Sequence, residues 1–494
     1  ADPALCAAVT TEKKPLKPKL LQAFPPCNED VAYYLTSLGT FALPGGIRAL
    51  EEDIESFMTF AVHKGDNSLV YCACYSYTRR VDKRSVVRVP EAIVLIGEKP
   101  YLNFMLGVLE HMQTICSRHP KFHKHQLLHF YRPDHRELYL SAILYNLSLP
   151  STVAEYLHYP PRLKSGSYAQ QKVISRVAKH GPRSIPNYNF SDLIRKVPPQ
   201  FLIRTVTALL LEKKVVCKSI DESLLLPCCE LLLSFLNPLE WPHSYVPYLP
   251  PQMHTYVDAP LIFLIGISSN AVVPNDVFVL DLDSGSTSSS SDFDLPLFPA
   301  VQEALLYKAL VQAYEALGSE DIYAWHRCVL KYRQAFFECW MQLVTTLKSG
   351  NLAEDRVFWD TLSRTFMMQT LLQESQLDKA HQSQEVSRFF HFVGLMKTEP
   401  WASVKQMLNM EVEVQLREFA APEQISLLSI FENLRPYLDT ELKPEAALPM
   451  EVGKSEYRRV KTWSNGAGWR DLETDWLGRL SYKGSRGHSG LSIE

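Results

Sequence analysis

An α/β protein that becomes all-helical towards its carboxyl end is what the sequence predicts, on three observations. Residues 209–266 read as a buried strand, an apolar helix, a proline-rich turn and a second buried strand, the βαβ unit of a parallel sheet. Upstream, short runs of alternating or continuous apolar residues set off by turn residues predict another group of strands. From Pro299 onward apolar residues recur at helical spacing with few glycines.

The elements follow in chain order. Residues 1–17 are rich in lysine and proline and are expected to be disordered. Phe57 to Val62 and Leu69 to Tyr77 are strands parted by the turn Lys64-Gly65-Asp66-Asn67, and Glu91 to Ile96 is a third. Leu102, Met105, Leu106, Leu109 and Met112 form one stripe of a helix over 101–116. A second helix over 138–147 is ended by Pro150. Pro160 and Pro161 open a connector, 159–189, made basic by Lys164, Lys172, Arg176, Lys179 and Arg183. The next unit, 190–283, holds strands at Lys214 to Ser219, Leu261 to Ile267 and Val277 to Asp283, with a helix at Leu224 to Leu236. Serine and aspartate fill Ser284 to Asp294, predicting a flexible loop within 284–298, and the serines at 286–291 are candidates for phosphorylation. Helices are expected at Val301 to Ala316, Ile322 to Leu347 and Phe358 to Leu372 within 299–390. Further helices are expected at Val404 to Phe419 and Gln424 to Leu438 within 391–443. The polar, glycine-rich tail 444–494, with Trp463, Trp469 and Trp476, is expected to be disordered or to lead into a truncated further domain.

Composition narrows the function. At 494 residues the chain is too long for one ordinary core. Fifty-one basic against fifty-four acidic residues give a net charge of −3, which argues against nucleic acid as a partner. The ten cysteines have no small-domain spacing, and several lie in apolar runs, so buried reduced thiols are expected. Because apolar runs are broken before the ~18 residues a bilayer requires, any membrane role would be peripheral. A chain opening at Ala1, without methionine or a signal-peptide h-region, is expected to be trimmed or partial.

Particular wording then goes beyond pattern. Leu209-Leu210-Leu211-Glu212-Lys213-Lys214, the phrase from Pro238 to Pro247, Ala259 to Ile267 and Asp276 to Asp283 together resemble the centre of a DENN domain. Upstream modules of that family are similar at Pro18 to Pro25, Phe41 to Gly46, Tyr71 to Cys74 and Pro90 to Leu95; the downstream module is similar at Phe366 to Gln369. The resemblance implies an upstream longin-like α/β lobe over 18–158 and a doubly wound central DENN lobe over 190–283. It further implies a mostly helical downstream module over 299–390. Phe41-Ala42-Leu43-Pro44 replaces the family's usual Phe-Cys-Phe-Pro-Asp-like wording and the connector is long, two departures that bear on partner choice.

The family acts on Rab-type small GTPases, so the implied function is guanine nucleotide exchange, with no cofactor and no catalytic or metal-binding residue expected. The implied location is cytoplasmic, with peripheral recruitment to vesicle or endosomal membranes and possible contact of the basic connector with anionic lipid. The alternative is a non-catalytic adaptor of the same fold. No G-x-x-x-x-G-K-[ST], G-x-S-x-G or H-E-x-x-H pattern occurs, which excludes a phosphate-loop GTPase and leaves Ser268 and Ser269 without a hydrolase signature. Cys116, His119, His123, His125 and His129 have zinc-ligand residue types, but a basic solvated turn explains them more simply. Partner contact is expected from Glu240, Trp241 and His243 in a proline-bracketed turn, and from Asp281 and Asp283 at a strand end. The competing reading makes them turn-fixing and solvated residues.

Overall fold

The computed structural model describes residues 15–20, 38–117 and 188–420 with short interruptions, and three strands at 155–159, 171–173 and 423–426. The helix expected at 138–147, the histidines from His119 to His129, most of the connector and the tail 444–494 lie outside the described residues.

The first lobe is an antiparallel meander of β1 (Glu55–His63), β2 (Leu69–Arg80) and β3 (Arg88–Gly97). Apolar residues face the core and set the register, with Phe60 opposite Cys72 and Met58 opposite Cys74. On the other face Tyr75 stacks between Phe57 and Tyr77, at centroid distances of 4.8 and 5.1 Å. Helix α1 (Leu102–Ser117) packs on this sheet through Leu102, Met105, Val108 and Leu109. Leu106, expected on that stripe, is only half-buried. Beyond α1, β4 (Glu155–Tyr159) pairs antiparallel with β5 (Gln171–Val173) and parallel with the last described strand, Glu423–Ser426. Residues 424–426 are therefore strand where a helix was expected, and 171–173 of the connector is strand as well. Tertiary pairing has overridden local pattern in both places.

The second lobe begins with α2 (Ser191–Lys196) and α3 (Pro199–Leu210). Pro199 stands in the first turn of α3, where its missing N–H costs nothing. Its sheet comprises β6 (Val215–Ser219), β7 (Ser244–Val246), β8 (Phe263–Ser268), β9 (Phe278–Asp281) and β10 (Ser286–Ser288). Their order is β10-β9-β6-β8-β7, parallel except for β10. Helix α4 (Leu225–Phe235) connects β6 to β7 and is buried along its whole length, as its all-round apolar sequence requires. Two strands were not legible. Proline-rich wording hides β7, and low complexity hides β10, which is ordered by hydrogen bonding to β9 rather than being part of a flexible loop.

Among the described residues six helices follow: α5 (Ala300–Glu315), α6 (Ile322–Ser349), α7 (Arg356–Arg364), α8 (Phe366–Glu374), α9 (Gln384–Thr398) and α10 (Trp401–Ala420). Thr365 caps α8 through the Met368 N–H, and Ser383 caps α9 through the Val386 N–H. The main apolar core runs from Leu38 to Leu416 and is shared by the first two sheets and the helices, while Val216, Ile265, Ile267 and Val277 belong to a separate cluster in the second lobe. At the junction of the sheets, Glu230 on α4 is 3% exposed, and accepts hydrogen bonds from Tyr245 (2.6 Å) and, across the lobes, from Tyr71 (3.3 Å). His63 Nε2 lies 2.8 Å from the Tyr245 carbonyl, and Gln252 Nε2 donates to the Pro44 carbonyl. All seven described cysteines are buried and free of disulfides, as expected from their apolar context.

Candidate functional site

Parallel pairing decides where the expected partner residues lie. Because β6, β7, β8 and β9 run in one direction, residues preceding β6 and β7 sit at one edge of the sheet, and residues following β6, β8 and β9 sit at the other. Glu240, Trp241 and His243 precede β7; Asp281 and Asp283 end and follow β9. The structure therefore divides the five between opposite edges.

At the amino-terminal edge, Trp241 is 8% exposed, and its ring meets His243 edge-on at 5.1 Å. Glu240 points into solvent. His243 Nε2 stands 3.4 Å from Glu212 Oε1, in reach of an ion pair when the ring is protonated but without hydrogen-bond alignment. The Glu212 carboxylate also accepts the first amides of α8, from Phe366 (3.0 Å) and Met367 (2.8 Å). This is an anion at a helix amino terminus, and it joins the second sheet to the helical part. Trp241 is packed into the turn and donates to the Ser244 carbonyl at 3.4 Å, whereas His243 faces a carboxylate and not a backbone carbonyl. Glu212 itself has φ 51°, a left-handed conformation that favours glycine. Glu212→Ala and Glu212→Gly both lose the cap, at a cost of ~1–2 kcal/mol. Glycine relieves the backbone, so Glu212→Gly is expected to be the more stable variant by about 1 kcal/mol in urea denaturation.

At the carboxyl edge, Asp283 ties three strand ends together. It accepts from Ser219 Oγ (3.1 Å), from the Ile220 N–H (3.1 and 2.8 Å to its two oxygens) and from Ser269 Oγ. Asp281 accepts the N–H groups of Asp283 (2.8 Å) and Ser284 (3.1 Å), closing the turn into β10. Ser269 donates directly to this carboxylate, and among the described residues no histidine is a hydrogen-bond partner of either. Partial burial pushes the Asp283 carboxyl up, but the bonds from Ser269, Ile220 and Ser219 and the charge of Lys196 outweigh it and leave its pKa below the ordinary value of 3.8. Its folded pKa is depressed, so its contribution is fully present above the unfolded value and is lost as pH falls through the folded one. Wild type is expected to lose more melting temperature than Asp283→Asn on acidification from about pH 6 to about pH 3.

Two large apolar side chains at this edge escaped the sequence reading. Ile220 is 76% exposed and Val272 is 92% exposed. Ile220 carried a signal, an apolar residue within the polar turn wording Ser219-Ile220-Asp221-Glu222, whereas Val272 stands in the apolar run Ala271-Val272-Val273 and carried none.

Elsewhere, a cavity of about 60 Å³ between α4, α6, α9 and α10 is lined by Arg333, Gln334, Glu385, Arg388 and Glu411. Two arginines balance two glutamates, and Glu385 Oε1 and Gln334 Oε1 accept no bond from the protein, so the space suits about four water molecules. Among the described residues no cluster of three His, Cys, Asp or Glu could hold a metal ion, and no helix is long and apolar enough to cross a membrane.

Comparison with known proteins bears on this geometry. The uDENN domain matches residues 18–77 and the DENN (AEX-3) domain matches residues 88–285; the chain belongs to the DENN domain family. The first match ends inside β2 and the second begins with β3, so the boundary between them falls within a single sheet. Human DENN domain-containing protein 2A is 28% identical over 143 residues, 28% of this chain and 14% of that protein. Mouse DENN domain-containing protein 3 is 30% identical over 149 residues, 27% of this chain and 11% of that protein. Human DENN domain-containing protein 2C is 28% identical over 231 residues, 45% of this chain and 23% of that protein. The matched region thus spans less than a quarter of each of these relatives.

Proposed function

We propose that this chain is a guanine nucleotide exchange factor that grips the switch regions of a Rab-type small GTPase and promotes GDP release in membrane traffic. The observation that carries the reading is family membership combined with two sheet-bearing lobes that share one core. In this reading the first lobe is longin-like and the second doubly wound, and together they cradle the GTPase while the helices brace them.

The task is one of coupling. A GTPase that holds GDP with a picomolar dissociation constant has about 16 kcal/mol of binding free energy to offset. A partner that prefers the opened, nucleotide-free switch conformation weakens nucleotide by the same factor as that preference. Each ~1.4 kcal/mol of preference gives tenfold. Displacing the switch segments and their Mg²⁺ contacts is sufficient, so the chain requires no nucleophile or general base. Recruitment is peripheral, to vesicle or endosomal membranes.

The test is a panel of Rab GTPases loaded with fluorescent GDP. Accelerated release from one or a few of them is expected. Stable capture of a GTP-loaded Rab with an unchanged release rate would establish the adaptor function instead.

A further inference from the structure

We infer that Ile220 and Val272, at the carboxyl edge of the second sheet, form the apolar contact point for the GTPase, which meets them with an apolar surface flanked by lysine or arginine. This inference rests on the exchange reading and assigns it a location.

The two residues are displayed, not merely exposed. Val272 points outward at 92% exposure, while Ala271 before it is buried and Val273 after it packs into the cluster of Val216, Ile265, Ile267 and Val277. The Ala271 N–H donates to the Ser268 carbonyl at 3.1 Å and fixes the turn. Ile220 follows fully buried Ser219, and its own N–H is held by both oxygens of Asp283. Asp221 then closes the next turn, accepting from the Ser223 N–H and donating its own N–H to Ser219 Oγ at 3.1 Å each.

The two turns are joined. The Ser269 N–H donates to the Ser219 carbonyl at 3.0 Å, and Ser269 Oγ and the Ile220 N–H share the Asp283 carboxylate. Backbone hydrogen bonds and one carboxylate therefore hold both apolar tips in place before any partner arrives. Little conformational entropy is left to lose on docking, a property shared with the rigid anchors of protein interfaces.

Charge indicates the partner's chemistry. Asp221 follows Ile220, Asp283 holds the Ile220 N–H, Asp281 closes the adjoining turn, and Lys196 is a basic group whose charge acts on Asp283. Lys218 stands in register with Asp281 on the neighbouring strand, so three acids face two lysines, and the remaining negative charge favours a partner whose apolar side chains are rimmed by basic ones. Asp281 and Asp283 thus act as positioning residues, and Ile220 and Val272 make the contact.

The experiment uses the full chain, with the Ile220→Asp/Val272→Asp double variant compared with wild type for affinity to each nucleotide-free Rab of the panel. Both side chains are exposed, so the variant is expected to keep its melting temperature; Leu305→Asp, 53% exposed on α5, serves as the charge control. A loss of at least tenfold in affinity and in exchange rate for the double variant, with the control unchanged, is the expected result. Unchanged affinity in the double variant, or an equal loss in the control, overturns the assignment and leaves the exchange reading standing. If wild type self-associates and the double variant becomes monomeric with its Rab affinity intact, a second copy covers these tips and the assignment also falls. Failure of wild type to bind any Rab removes both.

Discussion

Gly266→Ala is expected to break the second sheet, although the change adds a single methyl group. A Cβ at this position would lie 2.0 Å from the Pro247 carbonyl oxygen, 2.9 Å from its carbon and 3.1 Å from Leu225 Cβ. The first two contacts are with backbone, which no rotamer change can relieve. That backbone is also fixed, because the Leu249 N–H donates to the Gly266 carbonyl at 2.7 Å on the same path out of β7. The close approach of the β7 exit to β8 thus requires a residue without a side chain. Overpacking costs ~1–3 kcal/mol when neighbours can shift, and here the cost should lie at the upper end or beyond. With roughly 2–4 °C per kcal/mol for a unit of this size, a fall of at least about 6 °C in melting temperature is expected. Gly394→Ala in α9 is the control. Nothing lies within 4 Å of its added Cβ, and a helix interior favours alanine by about 0.5–1 kcal/mol. A wild-type melting point for Gly266→Ala would show that β7 is not pressed against β8 as described.

The elements legible in the sequence are those whose burial follows a simple period. β6 is buried on both faces, and its continuous Val215-Val216-Cys217 run says so. α4 is apolar all round and is therefore internal. β7 and β10 were missed because each is three residues long and is ordered by a neighbour, β8 or β9, rather than by its own composition. The site was less legible than the fold for a similar reason. Sequence reasoning selected Asp281, Asp283, Trp241 and His243 by residue type, but the sheet puts them at opposite edges and gives most of them internal hydrogen bonds or packing. The outward-facing groups, Ile220 and Val272, are ordinary aliphatic residues whose exposure depends on which way two turns face. Only the paired ends of β6, β8 and β9 reveal that direction. Glu212 shows the same limit, since its cap on α8 spans 154 positions of sequence.

Trp340→Ala is expected to uncouple the helical part from the second sheet, because Trp340 fills the junction and also closes a hydrogen bond across it. Its side chain is 2% exposed on α6 and lies 5.7 Å from the Phe336 ring and 6.4 Å from the Phe298 ring. Its Nε1–H donates at 2.7 Å to the carbonyl of Phe235, at the end of α4. That carbonyl belongs to the last turn of a buried helix, where no amide further along the helix can accept the role of donor. Truncation therefore removes a large aromatic from the core, at ~3–5 kcal/mol, and leaves a buried acceptor unsatisfied. Trp340→Phe separates the two contributions: it retains most of the apolar contact and loses only the donor, so ~1–3 kcal/mol is expected for it. Calorimetry provides the check. A core shared by both sheets and the helices predicts one cooperative transition for wild type, whereas weakening this joint should lower the helical part's transition and split it from the rest. If Trp340→Ala melted in a single unshifted transition, the helices would not be braced on α4. If Trp340→Phe fell as far as Trp340→Ala, the hydrogen bond to Phe235, and not the packing, would be what holds the joint.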